Sequence, residues 1–134
     1  MAGRLSVFAA ALWWGSLTTL GFLVVPMLFS HLPTPAMAGA MAGKLFSAQS
    51  WVSIGCALLL LALSSNKAAE PVERAQAAII FIVTGLLLAL LGEYAVSPRI
   101  LARENLKLWH GVGSAMYLIQ WVCAGLVLWK NARQ

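Results

Sequence analysis

Four long apolar runs dominate the hydrophobic pattern, separated by polar punctuation at Ser30 to Pro35, Ser64 to Arg74 and Ser97 to Lys107. Each run is near the roughly 20 residues that a helix needs to cross a bilayer. The pattern predicts helices over about 4–30, 35–64, 73–97 and 105–130. Lipid offers no hydrogen-bond partners, so each backbone group has to be satisfied within its own segment, which favours helices over open strands. The connections are short, so neighbouring helices run antiparallel. The expected fold is all-α: an integral membrane four-helix up-and-down bundle forming one domain over residues 1–134.

Local chemistry sets the expected boundaries. The turn His31-Leu32-Pro33-Thr34-Pro35 cannot continue a helix, because proline lacks an amide proton and biases the residue before it toward extended backbone. Thr34 then reads as an N-cap and Pro35 as the first helical position. The segment AMAGAMAGKLFSAQ leads into the second span, which therefore begins outside the bilayer core. Glu70-Pro71 starts the third helix, with Glu73 complementing the dipole in its first turn, and Ser97-Pro98 reads as its end. Pro26 lies inside the first span and should kink it. No internal repeat stands out.

Composition agrees with the pattern. Hydrophobic residues make up 61% of the chain and charged residues 10%, whereas soluble domains carry about 25% charged residues. The net charge of +5 does not signal nucleic acid, since the basic residues sit at the ends of apolar runs, where they anchor at headgroups. The first run continues through Leu20 to Phe29 without a small-x-small cleavage site, so it reads as a retained span rather than a leader. Arg4, Lys67, Arg74, Lys130 and Arg133 fall on one side; Lys44, Arg99, Arg103 and Lys107 fall on the other. Five against four is a narrow margin that pairing of Arg99 with Glu93 would widen, and on that basis both termini are expected in the cytoplasm.

In such a bundle the first and third connections share a membrane face, and that face collects the chemistry. Glu93 lies inside the third apolar run, where an ionisable group faces the bundle or water and finds a partner. Arg99 and Arg103 are the nearest candidates for a bidentate pair. His110, Ser114, Tyr117 and Trp121 recur at helical spacing as one stripe, which turns His110 toward its neighbours. His110 is also the candidate metal or haem ligand. Cys56 and Cys123 sit at different depths, which argues for packing thiols and against a disulfide; Cu(I) ligation with nearby methionines lacks a motif. Gly39 and Gly43 form a GxxxG step for close helix contact. Trp13, Trp14, Trp51, Trp109 and Trp129 read as interface anchors. No phosphate loop, nucleophile motif or zinc-protease pattern occurs, so no catalytic residue is assigned.

The segments WWGSLTTLGFLVVPMLFSHLP, AGAMAGKLFSAQSWV and LKLWHGVGSAMYLIQWV together resemble domain-of-unknown-function family 4149, the bacterial relatives of transmembrane protein 205. The likeness rests on Pro26, Leu28, Phe29, Leu32 and Pro33, then on Ala38, Gly39, Ala42, Gly43, Lys44, Leu45 and Phe46, with His110 opening the last helix. His31 departs from the pattern. The resemblance implies a four-helix membrane protein and brings no established reaction; for the eukaryotic relatives a link to platinum drugs or metals is suggested.

Three functional readings compete. The first is a binding or transport component of the bacterial inner (plasma) membrane, with a pocket built on Glu93, Arg99, Arg103, His110, Ser114 and Tyr117. The second is a haem- or metal-binding membrane redox protein using His110, with haem or copper as the possible cofactor. The third is an assembly protein that meets another copy, or a membrane-protein partner, through Gly39 and Gly43.

Overall fold

The computed structural model describes residues 2–64, 72–102 and 105–133. In chain order these form α1 (Ala2–Thr19), a first π turn (Leu20–Val24), α2 (Val25–His31), α3 (Pro35–Ser64), α4 (Val72–Leu91), a second π turn (Gly92–Val96), α5 (Ser97–Leu101) and α6 (Leu106–Ala132). Four helical stretches are long and apolar enough to cross a membrane: Gly3–His31, Pro35–Ser64, Gln76–Ile100 and Lys107–Ala132. The fold is all-α, with no strand among the described residues.

The turn between the first two spans forms as its chemistry dictates. Leu32, ahead of Pro33, is extended at ψ 148°. The Thr34 hydroxyl accepts from the Met37 amide at 3.2 Å, capping α3, which opens on Pro35.

Pro98 behaves differently from the expectation that it ends the third helix. The helix runs through it to Leu101, with Pro98 in the first turn of α5. In a regular helix the Pro98 ring would press on the Tyr94 carbonyl and leave an acceptor without its donor. The second π turn widens the ladder instead, and the Ser97 amide donates five residues back to the Gly92 carbonyl. Pro26 is absorbed in the same way: the Val25 amide donates to the Leu20 carbonyl across the first π turn.

This parallel exposes a repeat that the sequence hides. The two π turns are 72 positions apart, as are Pro26 and Pro98. At the same offset Ala10, Trp13 and Leu17 correspond to Ile82, Gly85 and Ala89, and all six are buried. Packing follows the same symmetry. α1 lies against α3 and α6, and α4 lies against the same two, closing a ring of four helices. The molecule is thus two parallel helical hairpins related by a pseudo-two-fold axis along the bundle.

Trp13 and Gly85 meet at that axis. A β-carbon on Gly85 would lie 2.5 and 2.6 Å from the Trp13 ring, so the absence of a side chain there makes room for the indole. Trp13 has no exposed surface, and its indole N–H donates to Gln120 on α6 at 3.3 Å. Trp13 is therefore a core residue, not the interface anchor that its residue type suggests.

Further bonds tie the spans in register. Gln49 donates to Ser16 at 2.9 Å, and the Trp121 indole donates to Thr18 at 2.8 Å. Such bonds average about 0.6 kcal/mol in membranes, enough to select a register but not to hold the bundle alone. Cys56 and Cys123 are free and buried.

Candidate membrane-face site

Both π turns lie toward the membrane face shared by the ends of spans one and three. Glu93 sits in the second of them, half-buried, with its carboxylate turned to α3. There the Ser47 hydroxyl lies 3.0 Å from each carboxylate oxygen and donates to the pair. A carboxylate offers about four lone-pair positions, and Ser47 brings a single proton to them. The depths match because α3 has 30 residues, about ten more than a span needs. Its first turns stand outside the core and Ser47 falls level with Glu93.

The basic residues expected to pair with Glu93 are placed elsewhere or undescribed. Arg99 is exposed and lies over the Trp109 ring, 4.8 Å from its centroid. Arg103 lies outside the described residues.

The stripe on α6 divides into two parts. Tyr117 and Trp121 are half-buried and face α1, whereas His110 and Ser114 are exposed. The cause is where α2 goes. It packs on α3, so the flank of α6 that meets α1 lower down is left open nearer the face. His31, also exposed, has its Nδ1 3.0 Å from both the Met27 carbonyl and the Ser30 hydroxyl. Among the described residues, no group of three or more His, Cys, Asp or Glu side chains is placed to hold a metal ion.

Tyr117 has a different task from the one its spacing suggested. Its hydroxyl donates to the Leu17 carbonyl and lies beside Gly21, whose added β-carbon would be 2.6 Å from the ring. Leu17 and Gly21 are one helical step apart, at the start of the first π turn. A side chain lodged at that step props the ladder open. Phe46 stacks edge-on against the Tyr117 ring at 5.4 Å, so the residue next to Ser47 is held by the same side chain. Tyr117 positions the face and does not reach Glu93 itself.

The two glycines of the GxxxG step also face outward. Gly39 is exposed and Gly43 half-exposed, with nothing within 4 Å of an added β-carbon on either. Ala38 and Ala42 make the inward contacts instead.

Ser47 was not singled out by sequence reasoning, nor was the position of Trp51. The useful signal was the excess length of α3, which sets how deep each of its residues lies. Trp51 is 58% exposed, 16 positions from Pro35 and 13 from Ser64. It faces outward, one helical turn from Ser47.

The model of a family described as Domain of unknown function (DUF4149) matches residues 8–107. No curated protein and no solved structure matches the chain.

Proposed function

The chain belongs to the DUF4149 family, and on that premise we propose that it binds a proton or a monovalent cation at Glu93. It would do so as a small binding or transport component of the bacterial inner membrane, with both termini cytoplasmic. The observation that carries this reading is the Glu93–Ser47 contact within a span. An ionised carboxylate in a membrane calls for a counter-charge, and among the described residues the group that meets Glu93 is the neutral Ser47 hydroxyl. A proton or small cation at the remaining lone pairs completes the site. The setting agrees: π turns concentrate at functional positions, and interrupted helices with parallel repeats are a recurring way to build ion sites.

Infrared difference spectroscopy of the purified protein, titrated with acid and then with sodium or potassium chloride, tests the reading. The chain has only four acidic residues, so single assignments are practical. A carboxyl band that responds to the titration in the wild type should vanish in Glu93→Gln and shift in Ser47→Ala. Identical spectra for wild type and Glu93→Gln would sink the proposal.

A second reading, assembly with another membrane chain, is favoured by the outward placement of Gly39 and Gly43. Gly39→Leu and Gly43→Leu should leave monomer stability within about 0.5 kcal/mol, as open surface positions do, while changing the oligomer seen by cross-linking in mild detergent. An unchanged oligomer in both variants counts against that segment as a contact surface.

A further inference from the structure

Glu93 is not enclosed by the bundle. It is half-buried where α4 meets α3, and two aromatic side chains near it, Tyr94 and Trp51, are exposed. Trp51, one helical turn from Ser47 on the same flank of α3, is 58% exposed. At roughly 1.5 Å per residue it lies about 6 Å along α3 from Ser47, the residue that meets Glu93. Tyr94 follows Glu93 in the π turn and is 63% exposed. On either side of Trp51 the flank is lined by small residues: Ala48 is exposed, and Gly55 has nothing within 4 Å of an added β-carbon. The result is an outward-facing shelf on which a carboxylate, two exposed aromatic side chains and small residues follow one another.

We propose that this shelf binds a lipophilic monovalent organic cation that enters sideways from the bilayer, its charge at Glu93 and its apolar body against Trp51 and Tyr94. The proposal rests on the reading of Glu93 as a cation site and names the class of cation. Charge and shape both select it. The carboxylate excludes anions, the electron-rich face of an indole attracts a positive centre, and the surrounding hydrocarbon favours a cation with an apolar shell over a hydrated one.

The experiment uses tritiated tetraphenylphosphonium and the full chain in mild detergent, with binding read by equilibrium dialysis. Saturable binding near one per chain is expected. Glu93→Gln should weaken it at least about tenfold, as loss of a close opposite charge does in a poorly screened site. Trp51→Leu should weaken it roughly five- to thirtyfold, the range of a desolvated cation–π contact. Because Trp51 is exposed, its replacement leaves the core alone. Trp129→Leu is the control: Trp129 is 63% exposed at the far end of α6, and binding should be unchanged. Absence of saturable binding, wild-type affinity in Trp51→Leu, or equal losses in Trp51→Leu and Trp129→Leu would each overturn the shelf. If the Glu93 infrared band still responds to protons or sodium while tetraphenylphosphonium does not bind, the cation site stands and the lipophilic ligand falls. If neither responds, both fall.

Discussion

Gly85→Ala will destabilise the bundle by about 1–3 kcal/mol, the cost of forcing one extra carbon into a filled core, and Gly85→Leu will prevent the native bundle from forming. The contact leaves no slack. An added β-carbon would stand 2.5 Å from the Trp13 ring. The ring is fully buried and its N–H is held by Gln120, so it has no open direction in which to yield. The reverse change, Trp13→Ala, should cost about 3–5 kcal/mol by opening a cavity at the axis. Because the two residues fill one space, the double variant Trp13→Ala/Gly85→Leu should be more stable than the two single costs together would allow. Unfolding in mixed micelles, followed by circular dichroism, reads all of these. An unperturbed Gly85→Ala protein would show that the axis is looser than the contact implies.

Deleting Ala95 will cost about 3 kcal/mol. A π turn is one residue more than an α turn, so removing a residue from Gly92–Val96 lets the ladder close into regular helix. That closure puts the Pro98 ring against the carbonyl four residues before it. Pro98→Ala alone should be mild, since the wide turn already lacks the bond that proline would break. Combining Pro98→Ala with the deletion should recover most of the loss, because alanine both fits a regular helix and restores the donor. The same unfolding measurement decides the matter. If the deletion is as stable as the parent, the wide turn does not exist to accommodate proline.

Span number and approximate limits could be read from the apolar runs, since a bilayer demands length and hydrophobicity and both are local properties. The Thr34-Pro35 start of α3 was legible for the same reason: a cap acts over three residues. Pro98 was misjudged because a proline is a stop signal only while the helix keeps its α ladder, and nothing in residues 92–96 announces a wider turn. Glu93 stood out as an acid within a span, but its partner did not, because which residue of α3 faces α4 depends on the rotation of both helices. The His110–Tyr117 stripe does share one flank of α6. Whether that flank is covered depends on where α2 packs, a fact lodged more than 75 positions away in the chain. Trp13 shows the same limit: its fit requires a glycine on the diagonally opposite helix.

The unequal pair at the bundle axis also bears on how such a chain could have arisen. Two copies of a single hairpin could reproduce the ring of helices, the paired π turns and their prolines. They could not reproduce the centre. Two copies of the first hairpin would drive two tryptophans into the place of one, and two copies of the second would face glycine to glycine across a hole the size of an indole. Only after the halves are joined in one chain can one side grow as the other shrinks. Fusion therefore frees each half from having to match itself, and the same freedom lets one half carry Glu93 where its counterpart, 72 positions earlier, carries Gly21.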